Sequence, residues 1–265
     1  MGEYMPEASL KVELMGRTRN NSGMLGRLSP VLWLLLWEVS SRLGLLDPRF
    51  FSSPLSVLAV FSKCLASGEL VTNAGATLLR VLLGFALGAI PGLVLGLIMG
   101  LFPVVRDLLE PTVSLAFPLP KLALLPLILL IFGIGDVSKA VIVAVGVFFL
   151  VLFNTMSGVL TIDQTYLDVA KSFKASKLDT FLTVALPGAL PMVFTGLRLG
   201  MGTAMLLIVS AEFVGSRSGI GFMIWESWDM FDIERMFVGL ITTAAMGYAL
   251  NELIRKVEKV VMPWA

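Results

Sequence analysis

Two ionisable residues sit inside otherwise apolar runs: Arg198 in FTGLRLGMG and Glu212 in IVSAEFVGS. An ionised side chain at membrane depth is costly, so such residues face a protein interior or a wet cavity and are read first as functional. They are 14 residues apart in the chain, about 21 Å along a helix, so they do not pair, and one lies toward each side. A cationic Arg198 facing a pathway suits an anionic solute; the same group equally ties its helix to a neighbour's carbonyls. Thr195, Thr203 and Ser210 add hydroxyls to this run. Most other chemistry is short of parts. There is no histidine and a single cysteine, Cys64, which leaves no Cys/His zinc cluster, internal disulfide or Ser-His-Asp triad. No metal site and no cofactor are expected. No GxxxxGK[ST] stretch occurs, so any use of ATP must come from a partner.

The elements that position these residues are membrane spans. The chain has 265 residues, 57% hydrophobic and 15% charged, with a mean hydropathy of +0.89, far outside the range of soluble domains. A formal net charge of +1 gives no clustered positive field for nucleic acid. A crossing takes about 20 mainly apolar residues, and six runs qualify: Leu28 to Leu46, Thr77 to Leu101, Val113 to Ile134, Val137 to Leu160, Gly188 to Val214 and Arg235 to Leu253. The sequence thus predicts an all-α polytopic membrane protein, with residues 1–27 as a tail and 28–265 as the transmembrane domain. Lysine and arginine concentrate at Lys11, Arg17, Arg19, Arg27, Arg106, Lys171, Lys174, Lys177, Arg255, Lys256 and Lys259, against Arg49, Lys63, Lys139, Arg217 and Arg235 on the other side. Positive charge stays inside, so both termini are predicted to be cytoplasmic, in the cell's inner membrane.

Packing signals accompany the spans. Glu38 and Arg42 interrupt the first one, four apart on one helix face, where they can pair. PLSVLAVFSKCLAS, between Pro54 and Ser67, is too short to cross and amphipathic enough to lie along the outer surface. Gly84, Gly88, Gly92, Gly96 and Gly100 recur every fourth residue in the second span, a ladder that lets another helix's backbone approach closely. Gly196, Gly200 and Ala204 repeat this on the fifth. Pro111, Pro118, Pro120 and Pro126 kink or break the third span. Irregular backbone at membrane depth is tolerated where it lines a wet cavity, which makes Pro118 and Pro120 candidate pathway residues; a simple packing kink is the equal alternative. Trp225, Trp228 and Phe231 read as an interfacial aromatic cluster.

Between the fourth and fifth spans, residues 161–187 form a polar island. In YLDVAKSFKASKLDTFLTVALP, Tyr166, Val169, Ala170 and Phe173 make one apolar helix face, and Leu178, Phe181, Leu182 and Ala185 a second. A break is predicted at Lys174-Ala175-Ser176, and Pro187 is predicted to stop the second helix before the fifth span. Two amphipathic helices with an apolar side in water need the protein itself or a partner to cover them.

Asp168-Val169-Ala170, then Lys174, then Leu186-Pro187 resemble the EAA loop of ATP-binding-cassette importer permeases, whose pattern is EAA, a glycine four residues after its second alanine, and a closing LP. PLPKLALLPLILLIFGIGDVSKA, LFNTMSGV, LPGALPMVFTGLRLGMG, AEFVGSRSGIGFMI, GLLDPRFFSSPLSVL and VMPW are similar to the nitrate, sulfonate, taurine and bicarbonate group of that family. The resemblance implies a type I importer (MetI-like) fold, a homodimer of the permease, two cytoplasmic ATPase subunits and an external solute-binding protein. It implies import of a small oxyanion, although related permeases carry thiamine precursors and flavins. It places the surface that docks the ATPase on Asp168, Val169, Ala170, Lys171, Phe173, Lys174, Leu178, Phe181, Leu186 and Pro187. Asp168 replaces the usual glutamate and keeps the charge, whereas Lys174 stands where a glycine would ease a left-handed turn. Two other classes fit less well. An ion-coupled secondary transporter would want midplane acids and a repeated half, and an intramembrane enzyme would want histidine or paired carboxylates.

Overall fold

The computed structural model describes residues 29, 31–47 and 49–264; the side chains of Lys177 and Leu178 lie outside the description. The expected tail at 1–27, and Leu28 at the start of the first span, fall outside it too. The chain divides into two compact units, residues 1–62 and 63–265. In the first, helix α1 covers residues 31–42 and ends in a turn at Leu43 and Gly44, earlier than the expected Leu46. Arg42 Nε donates to Glu38 Oε1 at 2.6 Å, the pair read from their spacing. The other carboxylate oxygen accepts from the Leu55 amide at 3.1 Å, which fastens the end of α1 to the start of α2 (Pro54–Ala66).

The second unit holds the long helices: α3 (Glu69–Leu101), α4 (Pro103–Ala116), α5 (Leu125–Phe132), α6 (Asp136–Leu160), α7 (Gln164–Ser172), α8 (Lys177–Thr180), α9 (Leu186–Glu212), α10 (Ile220–Asp229) and α11 (Ile233–Val261). No strand occurs among the described residues. Among the described residues, four segments are long and apolar enough to cross a membrane: Glu69–Leu101, Asp136–Leu160, Phe181–Glu212 and Ile233–Val261.

The expected third span is a broken one. Pro103–Ala116 and Lys121–Phe132 meet at 85°. Pro118 and Pro120 have no amide hydrogen to continue a ladder, so the helical hydrogen bonding stops although Phe117 itself keeps helical angles, φ −60° and ψ −46°. Beyond the break, Lys121–Leu124 form a 3-10 turn that leads into α5. The Lys121 ammonium donates to the Phe117 carbonyl, which in an unbroken helix would accept an amide.

The core sits where α3, α6 and α9 meet, around Val81, Val143, Val147, Val151, Ala204 and Ile208. The glycine ladder of α3 faces α6. A Cβ at Gly84 would stand 2.6 Å from the Ala140 carbonyl oxygen, at Gly88 2.3 Å from that of Ala144, at Gly92 2.7 Å from that of Phe148 and at Gly96 2.6 Å from that of Leu152. The two backbones therefore touch over four turns, with nothing larger than hydrogen between them. On a neighbouring face of α6, Gly196 of α9 brings its backbone to the Asn154 side chain, where a Cβ would stand 2.8 Å from its Cβ.

Pro187 does not end a helix, contrary to the sequence reading. Phe181–Ala185 form a π turn, in which the Leu186 amide reaches back to the Phe181 carbonyl, and the helix continues into α9. The wider turn lets the chain pass a position that lacks an amide hydrogen without stopping. The second short helix is correspondingly only Lys177–Thr180 before the π turn. Among the residues of the expected interfacial aromatic cluster, Trp225 and Trp228 pack at a tilt with centroids 4.9 Å apart. Phe213 joins them at 5.6 Å from Trp225, while Phe231 stands exposed at a left-handed φ of 58°.

Candidate functional site

The island between α6 and α9 is built from local hydrogen bonds. Asp163 caps α7 by accepting from the Thr165 amide at 2.8 Å. Asp168 accepts from Lys171 Nζ at 3.0 Å and from Gln164 Nε2 at 3.2 Å. The hydrogen bond from the Lys171 ammonium, and then that from Gln164, hold its carboxyl below the usual carboxylate range, so it stays charged at neutral pH. At the end of α7 the Lys174 amide bonds the Lys171 carbonyl at 2.9 Å and the Ala175 amide bonds the Ala170 carbonyl at 3.0 Å. Lys174 itself has φ 54°. That is the Schellman termination usually given to glycine, here made by lysine. Ser176 and Asp179 then close the turn reciprocally: Ser176 Oγ accepts from the Asp179 amide at 3.1 Å, and the Ser176 amide donates to Asp179 Oδ2 at 3.3 Å, a capping box for α8.

A lysine in the left-handed region costs about 1–2 kcal/mol relative to glycine. Lys174→Gly is therefore expected to stabilise the turn, read as stronger hydrogen-exchange protection of the Ala175 amide. Lys174→Val should weaken it, and equal protection in all three proteins would refute the strain.

The expected coupling residues do not share one surface. Tyr166, Val169 and Phe173 are exposed, Phe173 at 82%. Leu182 is exposed too, and Phe181, Leu186 and Pro187 are partly covered. Ala170 and Ala185 point inward and are buried. The outward apolar face is thus Tyr166, Val169 and Phe173, with the charges of Asp168 and Lys171 beside it. The side chain of Leu178 lies outside the described residues.

The expected pathway residues separate into two places. At the α7 end of the bundle, Arg198 Nη1 donates to Glu258 Oε2 on α11 at 2.7 Å, and its other terminal nitrogen lies 3.4 Å from Thr195 Oγ1. The neighbour tie that Arg198 offered is thus made to a carboxylate. Thr195 and Ser210 donate to carbonyls of their own helix, those of Pro191 and Leu206. Thr203 is partly covered, and Pro118 and Pro120 are exposed at the break in the third span.

Glu212 lies at the opposite end of α9 and is fully buried. Arg80 Nη1 donates to its Oε1 at 2.6 Å, Thr77 Oγ1 lies 2.9 Å from Oε2, and the Gly221 amide donates to Oε2 at 2.9 Å. Arg80 Nε continues to Asp136 Oδ1 at 2.7 Å, and its two terminal nitrogens bond the Ser218 carbonyl and hydroxyl at 2.8 and 2.9 Å. The Gly219 amide donates to Asn73 Oδ1 and the Ile220 amide to Thr77 Oγ1, both at 2.8 Å. Three consecutive amides at the start of α10, orphans by helix geometry, are thereby held by side chains of α3 and α9. Beside this network Arg235 of α11 bridges Glu69 and Glu226.

Sequence reading missed Arg80, Asp136, Glu258 and Lys121. Arg80 carried a usable signal, because it lies within the expected Thr77 to Leu101 span and follows Glu69, Asn73 and Thr77 at helical spacing. Lys139, counted among loop cations, is instead buried in the first turn of α6.

A bundle of apolar helices with one broken span, and a capped polar knob linked by a π turn to a span, defines a polytopic membrane transport subunit with the type I importer fold. Two solved structures share that fold: an amino acid ABC transporter, with a TM-score of 0.53 at 16% identity over 77% of this chain and 97% of that one, and the MetNI methionine ABC transporter, with 0.51 at 18% over 88% and 98%. Residues 92–261 match the family described as the binding-protein-dependent transport system inner membrane component, and the chain belongs to that family. It is 33% identical to the putative aliphatic sulfonates transport permease protein SsuC of Bacillus subtilis, over 91% of this chain and 87% of that protein. It is 31% identical to the taurine transport system permease protein TauC of Escherichia coli, over 87% and 86%. It is 32% identical to the nitrate import permease protein NrtB of Synechocystis, over 71% and 68%.

Proposed function

We propose that this chain is the permease subunit of an ATP-driven importer for a small oxyanion, working as a homodimer with two cytoplasmic ATPase subunits and an external solute-binding protein. The kinship with sulfonate, taurine and nitrate permeases supports the solute class. The observation that carries the mechanism is the exposed face of Tyr166, Val169 and Phe173 on α7. An apolar surface of this kind in water calls for a partner. Its turn is fixed by the Schellman bonds and the capping box, and the π turn joins it without a loop to α9. A push on α7 from a closing ATPase therefore reaches a span rather than being lost in flexible chain. In this reading the α7 end of the bundle and both termini are cytoplasmic, Asp168 and Lys171 supply the polar rim, and Lys174 shapes the turn.

Phe173→Glu tests the reading better than a charge at Ala170, because Phe173 is exposed whereas Ala170 is packed inside and its replacement would also disturb folding. The variant is expected to accumulate in the membrane as the natural protein does while losing ATPase co-purification and ATP-dependent uptake. Co-purification and uptake at the natural level would overturn the docking surface.

A further inference from the structure

The arginines at the spans are matched by acids: Arg80 by Glu212 and Asp136, Arg198 by Glu258, Arg235 by Glu69 and Glu226. Lys121 differs. At the break in the third span its ammonium meets the Phe117 carbonyl and the ring faces of Phe117 and Phe149, with centroids at 5.1 and 4.8 Å, and no carboxylate among the described residues. Ring faces attract a cation but leave its charge uncancelled. Of the ammonium's three donors, the Phe117 carbonyl takes one. The residue is only partly covered, so the other donors are reachable.

Next to it, sharing Phe117, lies a pocket of about 320 Å³ lined also by Ser114, Leu150, Phe153 and Asn154. The Phe117 and Phe153 rings pack edge to face at 5.2 Å and form its apolar wall. Asn154 donates one amide hydrogen to the Leu150 carbonyl at 2.8 Å, which leaves its second hydrogen and its oxygen for an incoming group.

We propose that Lys121 and this pocket form a transit site for a small organic anion with an apolar tail, the anionic head on the ammonium and the tail between Phe117, Phe153 and Leu150. The site rests on the importer reading above and adds to it the point along the path where charge is met. A broken helix is where backbone irregularity at membrane depth lines a cavity, and a cation without a counter-ion is the chemistry that recognises an anion there. Lys121 thus holds the freed Phe117 carbonyl between solutes and the anion during passage.

The test uses the purified permease with its ATPase subunits, titrated with 1-butanesulfonate and with methanesulfonate by saturation-transfer NMR, alongside uptake by the same proteins in liposomes with the binding protein. Butanesulfonate is expected to bind more tightly than methanesulfonate. Lys121→Gln should weaken binding about tenfold, the value of one charged hydrogen bond, while Lys121→Arg retains it and both variants keep their ATPase. Binding unchanged in Lys121→Gln, absent in the natural protein, or lost equally in Lys121→Arg would overturn the site. Failure of the natural complex to import any sulfonate, taurine or nitrate, with the Lys121-dependent binding intact, would refute the importer reading and leave the site standing.

Discussion

Arg80→Ala is expected to destabilise the protein by about 3–5 kcal/mol, because it strands a buried carboxylate without its counter-charge. Glu212 is fully buried, and Arg80 supplies its charged donor while also reaching Asp136 and Ser218. Loss of Arg80 also loosens the 215–219 connection that places α10. Thermal unfolding in detergent reads the effect. The double variant Arg80→Met with Glu212→Leu should recover much of the loss, since removing both charges removes the uncompensated one. Equal melting of Arg80→Ala and the natural protein would show that the network contributes nothing to stability. The amides of Ile220 and Gly221 would lose protection in the same variant, because Thr77 and Glu212 hold them only when the cluster is assembled.

Gly88→Leu is expected to part α3 from α6. A Cβ there would stand 2.3 Å from the Ala144 carbonyl oxygen and 2.9 Å from its Cα, and both are backbone atoms that cannot turn aside. Overpacking a tight core costs about 1–3 kcal/mol and occasionally more, and a rigid backbone seam belongs at the upper end. The variant should melt lower and expose α3 to protease. Gly75→Ala is the control in the same helix. Nothing lies within 4 Å of its Cβ, so the gain in helix propensity, about 0.5–1 kcal/mol, is expected to appear as slightly higher stability. Opposite signs for the two substitutions would identify close approach, rather than glycine content, as what the ladder provides.

The island shows how far local chemistry carries. Its helix spacing and its break at Lys174 were legible because each follows from neighbours within a turn or two. The direction of the face was not. Ala170 and Phe173 are both apolar and three apart, yet one is buried and the other exposed, a difference set by where α7 lies against the rest of the unit. Pro187 likewise reads as a stop, but the π turn before it carries the helix through, a choice made by the span that follows.

Composition determined that this chain crosses membranes. Glycine period and proline clustering determined that one span packs backbone to backbone and another is interrupted, since both are consequences of bond geometry within a helix. Tertiary structure alone decided which helix the ladder meets, that Arg198 belongs to Glu258, and that Arg80, Asp136 and Glu212 form one cluster. Arg80 and Glu212 are 132 positions apart. Pairing over such a separation is fixed by the packing of three helices at once, and no spacing rule along the chain encodes it.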